Sequence, residues 1–368
     1  MIIDLKERLL SIDNSNILRG IGILAIMLHN FLHIPQFGLP RENEMSFSEE
    51  KAGAFFDMLT SGGWNVIAEW FSFLGWIGVP VFIFLTGYGT AITSSFSNKT
   101  INYSSVNYIK KSFLKLFALM LPAVLFFAGI DIIKHEIWPG LFKRFFYLTM
   151  STNLAYPYLK CDPGVYWYFG LTFQFYVLWA LFGKKLNNKS LIILSLLFMA
   201  GLAVLCLVDA PAALSIYRHC FTGWFFIFAI GVYFGNRKGN GEKELSWNLS
   251  VFVWLLLAIV LFAMVVLMNK WLATWLFVPV VALGMFYATG KVILRMPHVA
   301  KIFRWFGGLS ACIFVCHPIA RLIVIRGVYP HVSNLLLITL VYIVVSIVLA
   351  MGYERIYKWL LGRLIPSK

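Results

Sequence analysis

The sequence predicts an all-α integral membrane protein, a bundle of about ten transmembrane helices. Hydrophobic residues fill 60% of the 368 positions and charged residues only 13%, about half the share that is usual in a soluble protein. The mean hydropathy of +0.79 points the same way. The apolar residues also fall in runs near the length of about 20 residues that a spanning helix needs. We therefore expect a single polytopic domain over residues 1–368.

Ten apolar runs are interpreted as spans within a transmembrane bundle at 17–353. The run from 64 to 92 is too long for one straight span, so we divide it into an interfacial helix, 64–73, and a span. Long connections remain at 35–63 and 133–163, and connections of this length are typically functional or disordered. The predicted spans are 17–34, 75–92, 112–132, 164–183, 190–208, 212–235, 248–268, 271–293, 306–326 and 332–353.

Lys and Arg are concentrated in the gaps on one side of these spans, as at 184–189, 237–243 and 291–304. Cytoplasmic loops carry this excess, so the N-terminal segment 1–16 and the tail 354–368 are expected in the cytoplasm. The same anchors explain the formal net charge of +15. They leave no basic domain for nucleic acid, and membrane lipids are the expected partners.

The first span carries four polar residues among apolar ones, namely Arg19, His29, Asn30 and His33. At 1.5 Å per residue, Arg19 and His29 lie about 15 Å apart along a helix, which places the imidazole well inside the bilayer. Ionisable groups in spans are costly and indicate a site facing the bundle interior. The alternative is a snorkelling Arg19 and a His29 that bonds a neighbouring helix. His33 is expected to be satisfied by water or headgroups.

Four further sequence patterns lie along the chain. A span at 78–88 ends in a Thr-Gly-aromatic turn, a basic stretch occupies 110–115, and the aromatic run 166–169 opens a later span. His317 precedes a proline inside another span, and Arg321 shares its helical face four residues on.

Buried charges in the later spans have two interpretations, which stay open. They contact an anionic acceptor, or they hold spans together by pairing with acidic residues. The basic residues are Arg218, His219, His317 and Arg321; the acidic candidates are Glu69, Asp131 and Asp209. Cys312 and Cys316 beside His317 resemble a metal-ligand pattern, but packing is far commoner for such residues, and no metal is expected.

Together, in this order and spacing, the patterns resemble the acyltransferase 3 family of integral membrane acyltransferases, which modify sugars of bacterial surface polysaccharides. The resemblance runs from residue 17 to about 350 and is most specific in the first span and at 82–88. It implies a ten-span bundle in the bacterial cytoplasmic (inner) membrane. It also implies transfer of an acyl group, usually acetyl, from acyl-CoA to a hydroxyl of a lipid-linked or polymeric carbohydrate.

By the same resemblance, His29 is the essential histidine, and Arg19, Lys111 and Lys115 hold the donor's phosphates. The family usually has ten residues between its arginine and histidine, whereas this chain has nine. On a helix this leaves His29 about 80° away from Arg19. Asn30 occupies the usual angular position, so we predict His29 and Asn30 as the catalytic residues.

The chemistry needs these residue types. A sugar hydroxyl is a poor nucleophile that gains from a base with a pKa near neutrality, which histidine has. The oxyanion of the transition state needs a donor, for which Asn30, Tyr168 and Thr86 are candidates. The predicted acceptor contacts are Trp167, Tyr168, His317 and Arg321. Direct transfer and an acyl-histidine intermediate both remain open.

Two other functions compete with acyl transfer. A transporter or flippase of a glycan intermediate would also use buried His and Arg, although duplicated halves with broken helices, common in transporters, are not seen. A non-catalytic scaffold would not require Arg19 and His29 in one span. The acceptor sugar, the acyl group and the oligomeric state do not follow from the sequence.

Overall fold

The computed structural model describes residues 10–11, 13–61, 66–97, 104–159, 164–239 and 249–365. Within these ranges the chain is all α, with no strand, which confirms the predicted class. The α-helices are α1 Ser15–Leu32, α2 Glu49–Ser61, α3 Val66–Leu74, α4 Val79–Ser97, α5 Ser105–Ile133, α6 Ile137–Leu148, α7 Thr152–Leu159, α8 Trp167–Phe182, α9 Asn188–Leu207, α10 Pro211–His219, α11 Phe225–Gly239, α12 Val251–Met268, α13 Leu272–Trp275, α14 Val278–Leu294, α15 Pro297–Gly327 and α16 Leu335–Leu364.

The described part of the chain contains 8 helices long and apolar enough to cross a membrane, which makes this a multi-pass integral membrane protein. The count rises to 9 if Pro211–His219 and Phe221–Gly239, bent by 77° at their junction, form one span. Helix α14 is also apolar but has only 17 residues. The ten predicted runs thus correspond to these nine candidates and to α14.

The run at 64–92 changes helix type where the sequence analysis divided it. Helix α3 ends at Leu74 and passes into α4 through a 3₁₀ turn, Gly75–Gly78; together, Val66–Thr93 has the length and composition of one candidate span. The turn packs closely on α1: a Cβ added to Gly78 would lie 2.5 Å from the carbonyl oxygen of Gly22. The glycines at the two ends of the turn therefore let it pack closely on α1.

The long connections are partly helical. Helix α2 lies within 35–63, and helices α6 and α7 lie within 133–163. In α2, Ala52 and Phe55 are buried and three residues apart, the spacing of one helical face. These segments are therefore ordered elements of the fold and not simple loops.

The chain divides into two compact units. Unit 1 comprises residues 1–99, 191–214 and 224–310, and unit 2 comprises 100–190, 215–223 and 311–368. In unit 1, α4 packs tightly along α11, and α1 packs on α3 and the turn that follows it. In unit 2, α5 packs against α6, α8 and α16.

Helix α5 contains Pro122, which cannot donate a backbone hydrogen bond. The buried hydroxyl of Tyr353, on α16, donates to the Leu119 carbonyl oxygen at 2.6 Å and accepts from the Ala123 backbone nitrogen at 3.1 Å. This phenol satisfies backbone groups of α5 beside the proline and fixes α16 to it within unit 2.

Candidate active site

His29 is buried in α1, with 3% of its surface exposed. Its Nδ1 lies 2.9 Å from the Ser72 carbonyl oxygen and 3.2 Å from that of Phe71, both on α3. A carbonyl oxygen only accepts, so Nδ1 carries the hydrogen and Nε2 of the neutral ring carries the lone pair. Helix α3 thus sets the tautomer that leaves Nε2 able to accept a proton.

Gly75 allows this close approach of α1 and α3. A Cβ at Gly75 would lie 2.5 Å from the His29 Cβ and 2.6 Å from the Ala25 carbonyl oxygen. Real Cβ atoms do not approach other atoms this closely, so any side chain at Gly75 would displace α1. The position of the His29 imidazole therefore depends on there being a glycine at residue 75.

His33 and Glu42 gather around His29. One potential ligand atom from each of the three residues lies within 4.8 Å of the others. The two imidazoles are stacked with their centroids 4.6 Å apart, and His33 Nδ1 donates to the His29 carbonyl oxygen at 2.7 Å. His33 is thus half-buried against His29 and bonds its backbone, a contact that the sequence analysis did not foresee.

Glu42 is held by a segment after α1 that docks on unit 1. Ser72 Oγ donates to the Pro40 carbonyl oxygen at 2.6 Å, and Trp275 Nε1 donates to the Asn43 carbonyl oxygen at 2.9 Å. Asn43 is fully buried. Since Ser72 also accepts the hydrogen bond from His29, one residue of α3 ties the imidazole to the segment that carries Glu42.

The Glu42 carboxyl lies outside the spans. Burial raises its pKa, but His29, His33 and Lys51 together lower the pKa by more, and the net pKa lies below the ordinary value. Lys51 Nζ also donates to the Glu42 carbonyl oxygen at 3.0 Å. The side chain is therefore an ionised carboxylate at neutral pH, able only to accept hydrogen bonds or to bind a cation.

Two candidate oxyanion donors are turned onto their own helices. Asn30 Nδ2 donates to the Ile26 carbonyl oxygen at 3.0 Å, and Thr86 Oγ1 donates to the Phe82 carbonyl oxygen at 2.8 Å. Asn30 follows His29 directly in α1, so the two predicted catalytic residues are neighbours. To meet a substrate, the Asn30 amide has to leave the Ile26 carbonyl.

The predicted donor-binding residues fall in both units. In unit 1, Arg19 is half-buried and its Nη1 donates to Asn16 Oδ1 at 2.7 Å. In unit 2, Lys111 and Lys115 are exposed on α5. Exposed lysines in this position are also ordinary membrane anchors, so the donor role of these residues remains a prediction.

The predicted acceptor residues all belong to unit 2. The Tyr168 ring lies 5.5 Å from Phe314, and Phe314 lies 5.6 Å from the fully buried His317. Arg321 follows one turn later on α15. Trp167 packs instead against His219, with the ring centroids 5.7 Å apart. Tyr168 and His317 thus lie in one aromatic cluster, and Arg321 lies next to this cluster on α15.

Asp131 has a partner that the sequence did not indicate. Arg144, on α6, donates to both carboxylate oxygens of Asp131, at 2.9 and 3.1 Å. The guanidinium also lies 5.3 Å from the Phe127 ring and 5.4 Å from the Tyr147 ring. The sequence analysis offered the basic residues of later spans as partners for Asp131. The observed partner lies on α6 instead, because this helix turns back directly onto the end of α5.

Glu42 and His33 are the neighbours of His29 that the sequence analysis did not assign to the candidate site. The i, i+4 spacing of His29 and His33 was available as a signal, since it places both rings on one face of α1. No comparable signal marks Glu42, whose approach depends on the folding of the segment around it.

These features define a multi-pass membrane protein with a buried polar site in its first span. Residues 12–355 match the acyltransferase domain of the acyltransferase 3 family, and the chain belongs to this family. The resemblance seen in the sequence is thereby confirmed, and the protein is a membrane acyltransferase. Comparisons with curated proteins and with solved structures give no match.

Proposed function

We propose that this membrane acyltransferase is an O-acyltransferase that moves an acyl group, acetyl first of all, from acyl-CoA to a hydroxyl of a surface polysaccharide or lipid-linked glycan. The observation that carries the proposal is the imidazole of His29. Its Nδ1 is committed to the carbonyl oxygens of Ser72 and Phe71, which leaves Nε2 as a base inside the bundle.

The reaction follows from this tautomer. Nε2 of His29 accepts the proton of the acceptor hydroxyl as the hydroxyl oxygen bonds to the thioester carbonyl carbon. The carbon–sulfur bond then breaks, and the imidazolium returns its proton to the departing thiolate. The two backbone carbonyls stabilise the imidazolium through Nδ1, and a base held in this way contributes about 10²–10⁴-fold to the rate.

The donor's phosphates bind to Arg19, Lys111 and Lys115 in this proposal. Cationic side chains form strong charge-assisted hydrogen bonds to phosphate, and Lys does so as a point charge. The half-buried position of Arg19 in the first turns of α1 and the exposure of both lysines support this role. The acyl-CoA is a substrate, and the proposed reaction uses no metal.

The acceptor contacts are Trp167, Tyr168, His317 and Arg321. Aromatic planes suit the mixed apolar and polar faces of a sugar, and the aromatic environment of Tyr168 and His317 supports this assignment. Asn30 orients the substrate or receives the developing oxyanion once its amide leaves the Ile26 carbonyl.

The protein is proposed to lie in the bacterial inner membrane with both termini in the cytoplasm. The basic gaps at 184–189 and 291–304 support this orientation. Single cysteines at the exposed positions Asn188 and His298 should resist an impermeant thiol reagent in intact cells, whereas one at the exposed Glu50 should react. Labelling of Asn188 from outside would reverse the orientation.

Acyl transfer is tested with purified protein in nanodiscs, radiolabelled acetyl-CoA and a glycan extract from cells that lack this protein. We expect labelled ester on the glycan with wild-type protein and little label with His29→Ala. The alternative of a flippase gives the opposite result. In that case labelled glycan crosses the membrane of liposomes that contain the protein, while acetyl-CoA is not consumed.

A further inference from the structure

We propose that His29, His33 and Glu42 form an inhibitory Zn²⁺ site, in which the ion occupies the lone pair that acyl transfer needs. Binding of the ion depends only on the geometry of this cluster. The inhibition rests on the proposed function, because it requires His29 to be the base.

The cluster has the ligand set of a zinc site. Two imidazoles and one carboxylate with a position left for water is a recurrent zinc arrangement. The potential ligand atoms of the three residues lie within 4.8 Å of one another, and no other group of this kind occurs among the residues that the structure describes. The set has no thiolate, so reversible binding is expected.

The two histidines are already oriented as zinc ligands. A histidine that binds a metal through one ring nitrogen usually donates the other N–H to a carboxylate or a backbone carbonyl. His29 Nδ1 donates to the Ser72 carbonyl oxygen at 2.9 Å, and His33 Nδ1 donates to the His29 carbonyl oxygen at 2.7 Å. Both hydrogen bonds direct Nε2 to the role of ligand atom.

The geometry needs only a small closure. Zinc–nitrogen distances of about 2.0–2.1 Å place the ligand atoms of a tetrahedral site about 3.4 Å apart. The potential ligand atoms of the cluster lie within 4.8 Å of one another, so each pair has to close by at most about 1.4 Å. Glu42 and His33 are both partly exposed, so two of the three ligands are open to solvent.

Charge favours the ion as well. The Glu42 carboxylate offsets one of the two positive charges, and the neutral imidazoles add nitrogen ligands that suit zinc. Magnesium and calcium prefer sets made of oxygen atoms and should not compete. Once zinc is bound, Nε2 of His29 has no lone pair for the acceptor proton, and the enzyme stops.

Binding is measured first. Full-length wild-type protein, His33→Ala and Glu42→Gln are purified in detergent, treated with a chelator and titrated with ZnCl₂ by calorimetry. His331→Ala is the matched control, since His331 is an exposed histidine in unit 2. We expect the wild type and the control to bind zinc alike. Removing the hydrogen-bond partner of a zinc ligand costs about 10–100-fold in zinc affinity. His33→Ala and Glu42→Gln each remove a ligand itself, so both should lose more affinity than that.

Activity is measured second, with acetyl-CoA and the glycan extract. Zinc should inhibit the wild type and His331→Ala, a chelator should restore them, and MgCl₂ should have no effect. Inhibition is expressed relative to the zinc-free turnover of each variant, and on this scale His33→Ala should resist zinc.

Equal zinc affinity in the wild type and both cluster variants would overturn the site. Equal inhibition of the wild type and His33→Ala would overturn the mechanism. If no preparation transfers acyl groups, the proposed function fails, and the calorimetric titration still tests the zinc site by itself.

Discussion

His29 in unit 1 and His219 in unit 2 are both buried histidines whose Nδ1 is hydrogen-bonded to a backbone carbonyl. For His29 the carbonyl belongs to Ser72 at 2.9 Å, and for His219 it belongs to Ser215 at 2.7 Å. Burial and hydrogen bonding therefore do not distinguish the two. The two histidines differ in the side chains that surround them.

The neighbours differ in charge. His29 lies beside a carboxylate and a second imidazole, Glu42 and His33. The His219 ring packs instead against the rings of Trp167 and Tyr156, with centroids 5.7 and 5.2 Å away. Its backbone oxygen also accepts from the fully buried Asn153 side chain, at 2.5 Å. A carboxylate and a second imidazole thus converge on the His29 ring, whereas aromatic rings pack against the His219 ring.

The largest effect expected in unit 2 is on stability. Arg144→Ala leaves the Asp131 carboxylate poorly solvated, with 11% of its side chain exposed, and loss of one partner of such a pair costs about 3–5 kcal/mol. We expect a much lower Tm in detergent, with turnover per folded molecule retained. Lys134→Ala, at an exposed lysine of the same region, is the control and should leave the Tm unchanged. If Arg144→Ala lost turnover but kept its Tm, the Arg144–Asp131 pair would instead take part in catalysis.

In unit 1 the effect should appear in catalysis. Gly75→Ala pushes a methyl group against His29 and the Ala25 carbonyl, and a displacement of about 1 Å at a reacting group can cost about 100-fold in rate. Gly89→Ala is the matched control, since a Cβ at Gly89 meets nothing within 4 Å. The kcat of both variants is measured beside the amount of folded protein. Equal kcat values for Gly75→Ala and Gly89→Ala would show that the position of His29 does not matter.

A smaller effect is expected at the donor-binding residues. Removal of Lys111 or Lys115 should raise the KM for acetyl-CoA by about tenfold, the value of one hydrogen bond to a charged group, with little change in kcat. Lys→Arg at either position keeps the charge and should be tolerated. Lys110→Ala, an adjacent exposed lysine, is the control. An unchanged KM in the Lys111→Ala/Lys115→Ala double variant would make both residues membrane anchors.

The sequence predicted the helical elements well, because spans depend on local composition. Each predicted run contains a helix, but the bend before α11 was not foreseen. Arg218 and His219 end α10 directly before the bend, and the sequence analysis took them only as buried charges within one span. His29 was singled out for a similar reason, as a costly residue within an apolar segment, and its catalytic role stays a prediction.

Glu42 was missed because its position depends on contacts far apart in the chain. The neighbouring Asn43 accepts a hydrogen bond from Trp275, which lies 232 residues away, and Pro40 accepts one from Ser72. Periodicity reports only which face of a helix a residue occupies, and it carries no information on where a connecting segment docks. The partner of Asp131 was missed in the same way, through the unforeseen helix α6.

The most direct measurement compares His29→Ala with His219→Ala, one buried histidine from each unit. Turnover with acetyl-CoA and a glycan acceptor is normalised to folded, membrane-inserted protein. We expect His29→Ala to lose about 10²–10⁴-fold in kcat, the contribution of a positioned base, with its Tm preserved. His219→Ala should lower the Tm and keep most of its turnover per folded molecule. An active His29→Ala together with an inactive, well-folded His219→Ala would contradict the assignment of the base to α1.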